Sequence, residues 1–277
     1  MRCIAVANQK GGVGKTTTCV NLAAALAGSR QRVLLVDLDP QGNASVGCGV
    51  NPRSLEVSTY EVLLGQRSIE NTLVRLENLG LDLVPANGDL TAAEVTLLHL
   101  EEREFALKRA LQPVANQYDW GIIDCPPSLN ILTLNALVAA DSVLIPMQCE
   151  YYALEGLTSL IDTIKQVRAS VNPELEIEGL LRTMFDIRNN LSAAVSDQLL
   201  ENFGEQVYRT VVPRNVRIAE APSYGLPVLN YDPGSRGAMA YIALAGEMLR
   251  RNNKRQSAKV GWGGSPREFN ADKELVP

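Results

Sequence analysis

Apolar runs bounded by turn-forming residues divide the chain at regular intervals, at residues 3–7, 32–37, 81–85, 119–124, 142–147 and 176–185. Each is short and nearly unbroken, the pattern of a buried strand. Between them the apolar spacing changes to that of a helix, at 20–27, 90–112, 129–139, 153–171, 189–203 and 238–251, with a short capped helix at 58–64. Strands alternating with helices predict an α/β domain with a doubly wound, mostly parallel sheet flanked by helices. Residues 212–222 read as a loop followed by a short helix. From residue 252 onward the chain is polar and Gly-rich, with Trp262 and Phe269 isolated, which predicts a flexible tail over 252–277 after a domain over 1–251.

The first strand leads directly into Asn8-Gln9-Lys10-Gly11-Gly12-Val13-Gly14-Lys15-Thr16-Thr17-Thr18, and a helix follows. Strand, glycine loop and helix form the context of a phosphate-binding loop of the P-loop NTPase type. Gly11, Gly12 and Gly14 allow a tight turn whose N–H groups, Val13 included, face phosphate oxygens, and the helix N-terminus adds its positive end. Lys15 would reach the β- and γ-phosphates, Thr16 would ligate Mg²⁺, and Thr17 completes the loop. The first glycine of the usual motif is replaced by Gln9, and a second lysine, Lys10, precedes the glycines. A Rossmann dinucleotide turn fits less well, because Thr17 stands where a third small residue belongs.

Two further strands end in acid. Asp37 and Asp39 follow one of them, on the edge where parallel sheets bind ligands, with turn capping as their alternative role. Asp124 ends a Walker B-like strand, placed to hold Mg²⁺ through water. Lone His99 has no catalytic partner in view and reads as a solvated or packed histidine. Cys125, beside Asp124, reads as a small buried residue.

The second lysine makes the chain resemble the deviant Walker A ATPases. The run Lys10–Thr17 together with Leu34-Leu35-Val36-Asp37-Leu38-Asp39-Pro40-Gln41-Gly42-Asn43-Ala44-Ser45 is similar to the ParA/Soj family of DNA-partitioning ATPases. The resemblance covers about residues 1–250. It implies that ATP and Mg²⁺ are the cofactors, that an ATP-bound homodimer forms, and that Lys10 acts in trans on the partner's phosphates. It implies that Asp39 supports hydrolysis near the metal and water, and that the loop from Pro213 to Asn215 lies near the adenine. Its implied partners are nonspecific double-stranded DNA and a ParB-like adaptor that accelerates slow turnover. A ParA-like ATPase that positions another cargo, or a MinD-like membrane-associated ATPase, remains the alternative.

Composition narrows these readings. The 277 residues are 46% hydrophobic, enough for one substantial core, and carry a net charge of −5. An acidic chain cannot coat nucleic acid by overall charge, so DNA contact requires a local patch. Arg188, Arg214 and Arg217, with Arg182 as a further member, form such a group, and solvated surface arginine is their alternative role. Cys3, Cys19, Cys48, Cys125 and Cys149 are scattered, and one histidine cannot complete a zinc set. An iron-protein-like cluster would need suitably placed cysteines between Cys48 and Cys125, where there are none. No amide-ligase substrate pocket is identifiable from the residues. Met1-Arg2 runs straight into the first strand, no apolar run reaches membrane-spanning length, and residues 250–256 are polar on all sides, which argues for a cytoplasmic protein without membrane contact; association with the nucleoid is what the resemblance implies.

Overall fold

The computed structural model describes residues 1–150 and 153–261. Eight strands form one sheet: β1 (Arg2–Val6), β2 (Val33–Asp37), β3 (Val74–Leu76), β4 (Leu81–Val84), β5 (Trp120–Asp124), β6 (Ser142–Gln148), β7 (Glu176–Phe185) and β8 (Val207–Pro213). Their order is β3-β4-β2-β5-β1-β6-β7-β8, and every pairing is parallel except that of β3 with β4. The helices are α1 (Lys15–Gly28), α2 (Asn43–Gly47), α3 (Thr59–Leu63), α4 (Leu90–Thr96), α5 (Ala106–Leu111), α6 (Ile131–Ala139), α7 (Ala153–Ser170), α8 (Asn190–Phe203), α9 (Val216–Glu220), α10 (Val228–Tyr231) and α11 (Arg236–Gly261).

The apolar runs are unbroken because both faces of the sheet are covered. Along β1, Cys3, Ala5 and Ala7 pack into the core beneath α3 to α8, while Ile4 and Val6 pack beneath α1, α2, α10 and α11. The alternation is the two-residue period of a strand with apolar neighbours on both sides. The chain leaves β1 for β2, later fills the slot between them with β5, and then crosses to β6 on the other side of β1. That reversal makes a crevice at the carboxyl ends of the central strands, and the glycine loop follows β1 into it.

Several expectations change at the periphery. Residues 90–112 form two helices, α4 and α5, separated by single-turn segments, with Glu102 at φ 49 between them. A left-handed non-glycine residue interrupts helical hydrogen bonding at that point. The antiparallel β3 and the edge strand β8 are additional elements. The last helix continues past residue 251 to Gly261, so residues 252–261 are helical rather than tail. Tertiary anchors hold this polar extension. Asn252 Oδ1 accepts from Arg2, and Arg255 donates to Glu178 at 2.6 Å. Glu178 is fully buried and also accepts from Arg2, Ser142 and Tyr208. Residues 262–277, with Trp262 and Phe269, lie outside the described residues.

Candidate nucleotide site and its flanking loops

The loop after β1 is held by its neighbours on both sides. Asn8 Nδ2 donates to the Pro146 carbonyl at 2.8 Å, and Asn8 Oδ1 accepts from the Lys10 N–H. Thr183 Oγ1, on β7, donates to the Val13 carbonyl at 2.7 Å. Gly12 and Gly14 sit at φ 75 and 88, the left-handed region that glycine enters without penalty. Space beside Gly12 is open in the single chain, so its φ is the constraint the chain itself imposes there. Gly14 caps α1 with no side-chain hydrogen bond, and no acidic residue occupies the first turn. The N–H groups of a 14-residue helix are therefore left for an anion.

The two lysines are placed differently. Lys15 is buried, its Nζ 3.2 Å from the Lys10 carbonyl, and desolvation lowers its pKa against the opposing charges of Asp124 and Asp39. Lys10 extends instead to Glu150, with Nζ to Oε2 at 2.6 Å.

Asp37 and Asp124 are register partners at the ends of β2 and β5, and both are fully buried. Burial and the neighbouring Asp37 push Asp124 up to about 8, against hydrogen bonds from Thr16 and Cys19. Asp124 Oδ1 accepts from the Cys19 thiol, while Oδ2 is buried and has no hydrogen-bond partner among the described residues. An orphaned carboxylate oxygen beside the Thr16 hydroxyl is a hard oxygen donor set of the kind that suits Mg²⁺. No cluster of three or more His, Cys, Asp or Glu occurs among the described residues. Mg²⁺ takes one or two carboxylates and keeps waters and phosphate oxygens for the rest.

Asp37 is a structural acid. Its Oδ2 accepts from Ser45 N and Oγ, its Oδ1 accepts from Asp39 N, and burial pushes its pKa up to about 6. These bonds fold the 38–45 turn over the site and bring Asp39 to its rim, nearly buried, where Oδ1 also accepts from Gln41 N. Pro213 ends β8, and Asn215 caps α9 by accepting from Arg217 N and Ile218 N. The cap occupies Asn215 Oδ1 and leaves its Nδ2 as the donor available to a base.

The arginines separate into three situations. Arg182 is buried, donating to Ser196 Oγ and the Tyr208 carbonyl, which removes it from the basic surface group. Arg188 and Arg214 follow adjacent strand ends, since Phe185 pairs with Pro213, and both act on Asp186, which the Arg188 hydrogen bonds hold down to about 2. Arg217 is tied to Glu220 at 2.8 Å and Asp232 at 3.2 Å, which offset its charge. His99 is exposed on a single-turn segment, and Cys125 is fully buried. Asn8, Glu150 and Thr183 were not distinguished by sequence. Their roles depend on contacts between segments far apart in the chain, and no local motif carries that signal.

Residues 1–177 match the AAA domain family. The chromosome partitioning protein ParA of Myxococcus xanthus is 53% identical over 91% of this chain and 89% of its own. The sporulation initiation inhibitor protein Soj of Bacillus subtilis is 51% identical over 89% and 98%. Among solved structures, a cobyrinic acid a,c-diamide synthase from Mycobacterium smegmatis with bound ADP and magnesium is 42% identical, with a TM-score of 0.81 over 92% of this chain and 96% of that one. With a phosphate loop carrying both lysines and partitioning relatives matched along nearly their whole length, the chain belongs to the ParA/Soj family of chromosome-partitioning ATPases.

Proposed function

We propose that this ATPase works as an ATP-bound homodimer that binds duplex DNA without sequence preference and is switched off by a ParB-like adaptor that accelerates hydrolysis. The observation that carries the reading is the division of labour between its lysines. Lys15 folds into its own loop, with Nζ on the Lys10 carbonyl, while the Lys10 side chain is paired with Glu150 instead. A lysine so placed serves a second active site, that of a partner subunit.

Within one subunit, Gly11 to Thr17 and the free N-terminus of α1 cradle the phosphates, and Lys15 neutralises charge on the β- and γ-oxygens. Thr16 and Asp124, the latter through water, would hold Mg²⁺, which supplies charge neutralisation between the β- and γ-phosphates. Asp39 orients the attacking water at the rim, and Pro213 and Asn215 flank the adenine. Glu150 is engaged by Lys10 and Asp37 by Ser45, which leaves Asp39 as the carboxylate to orient water, in keeping with slow unstimulated turnover. Residues 1–251 make up the ATPase domain, with 252–261 continuing its last helix. Arg188 and Arg214 would lead the DNA contact and Arg217, once freed from Glu220 and Asp232, would add to it. The protein would then reside on the nucleoid in the cytoplasm. No helix among the described residues is long and apolar enough to cross a membrane.

One fold hosts several activities, so the amide synthase likeness does not by itself assign one. Partitioning relatives match at higher identity, which favours the positioning role. The test is a salt titration of duplex binding in ATP and in ADP, for the parent and the Arg188→Ala, Arg214→Ala, Arg217→Ala triple variant. In ATP the parent should bind any duplex, and each lost phosphate contact should reduce the salt slope of log K by about one. Equal affinity and slope for both proteins in ATP would remove the DNA role and leave the ATPase standing, with a cargo other than DNA.

A further inference from the structure

The end of β7 lies between the phosphate loop and the basic loop, and the second of two register shifts between β7 and β8 falls there. Thr183 is buried with its hydroxyl on the Val13 carbonyl, between the two left-handed glycines, and its methyl packs beside Gly14. Along the next strand Arg182 pairs with Val211 but Phe185 pairs with Pro213, so β7 carries one residue more than β8 across this interval. That extra residue is a bulge, and within it Met184 stands at φ 48, a region non-glycine residues rarely occupy. Beyond the bulge lie Arg188, in the loop after β7, and Arg214, directly after β8. A second tie closes the segment. Ser192 Oγ, in the first turn of α8, donates to the Cys149 carbonyl, next to the Glu150 that holds Lys10.

Arg188 therefore lies between two hydrogen bonds nine residues apart, Thr183 to the phosphate-loop carbonyl of Val13 and Ser192 to the Cys149 carbonyl beside Glu150. We propose that Thr183 is a positioning residue that couples nucleotide state to the Arg188 and Arg214 loops. It sets the Val13–Gly14 peptide against β7, so that rearrangement of the phosphate loop is passed through the Met184 bulge to the arginines. Bulges re-aim side chains near sites, and strained residues persist where the surroundings hold them in place. The inference rests on the DNA-binding reading above.

The experiment measures duplex affinity in ATP and in ADP for the parent, Thr183→Val and Thr183→Ser in the full-length protein, with ATP affinity and thermal midpoint measured alongside. Val keeps the shape and removes the donor, and Ser keeps the donor. The ratio of the two duplex affinities should fall about tenfold in Thr183→Val, a change within the usual span of coupling between sites, and return in Thr183→Ser. A purely structural role would lower the midpoint or ATP affinity and leave that ratio, measured at saturating nucleotide, unchanged, and this result overturns the proposal. If Thr183→Val fails to fold, Met184→Gly, which relaxes the left-handed position, provides the same reading: a ratio equal to the parent's overturns the proposal. A parent whose duplex affinity is the same in ATP and ADP overturns the DNA-binding reading and this inference together, whereas a nucleotide-dependent parent with unchanged variants overturns this inference alone.

Discussion

Glu150→Gln should strengthen the ATP dimer, by an amount that follows from one ion pair. In the single chain Lys10 Nζ lies 2.6 Å from Glu150 Oε2, with the side chains 38% and 45% exposed. For Lys10 to reach a partner's phosphates that contact must break, once in each subunit. A pair this exposed contributes about 0.2–1 kcal/mol. A two-fold dimer breaks two, so removing the restraint is worth about 0.4–2 kcal/mol, or roughly a 2- to 30-fold lower dimer dissociation constant. Gln keeps the length and polarity of the side chain and removes the charge. Light scattering or sedimentation at saturating ATP reads the constant directly. The Debye length shrinks from about 10 Å at 0.1 M salt to about 3 Å at 1 M, so parent and variant should converge at high salt. Lys10→Ala supplies the control, since it should bind nucleotide and stay monomeric in both salts. A Glu150→Gln dimer equal to or weaker than the parent's at low salt would refute the argument, because Glu150 would then be supporting the dimer.

Lys15→Ala should lower ATP affinity by at least about tenfold, the loss of a charge-assisted hydrogen bond, as read by titration with a fluorescent nucleotide. Parental affinity and turnover in that variant would remove the phosphate-loop assignment. Asp39→Ala should leave nucleotide affinity within about threefold and slow hydrolysis about tenfold or more, so that the ATP dimer accumulates. Turnover at the parental rate would reduce Asp39 to the turn cap its bond to Gln41 describes. Glu178→Gln should cost on the order of 3 kcal/mol at neutral pH, because it leaves Arg2 and Arg255 around an uncharged group. Burial raises the Glu178 pKa, but Arg2 and Arg255 outweigh it and bring the group below its ordinary 4.5. A lowered folded-state pKa stabilises fully above the unfolded value and is lost as pH falls through the folded one. Below about pH 4.5, then, the parent should lose stability that the variant never had, and urea midpoints that fall in parallel would contradict the pairing.

Most of the central sheet was legible because both of its faces are buried. Buried parallel strands are written as apolar runs, and the phosphate loop is a local motif whose geometry depends on its own glycines. The edges were less legible. Residues 207–213 read only as the approach to a loop, since β8 buries its ends and leaves Arg209 exposed, which blurs any period. The β3 strand has three residues and a single partner, too short for a pattern. The extension of α11 has no apolar stripe to announce it. Its order comes from Arg2, Glu178 and Arg255, which meet from distant parts of the sequence. Arg182 illustrates the same limit in reverse: nothing local separates a buried arginine that satisfies strand carbonyls from one facing solvent, so charge alone groups it with Arg188.

The costs concentrated at the carboxyl edge of the sheet explain one another. Asp37 and Asp124 are neighbouring acids in a fully buried register pair, where apolar residues would pack at lower free energy, and Asp124 retains an oxygen with no partner among the described residues. At the end of the neighbouring strand β1, α1 begins without a cap and Lys15 is partly desolvated, so donors and positive charge are also left short of partners. Taken separately, each is a destabilising feature of the fold. Together they are opposite in sign: an anion answers the helix N-terminus and Lys15, and a divalent cation answers Asp124. A nucleotide with its metal answers both at once, which neither ion alone does. Stabilisation by ligand grows as RT ln(1 + [L]/Kd), so the thermal midpoint should rise with Mg-ATP by more than the separate rises with Mg²⁺ and with metal-free ATP added together. Strict additivity of the two would mean that the unfilled acceptor and the unfilled donors belong to independent sites.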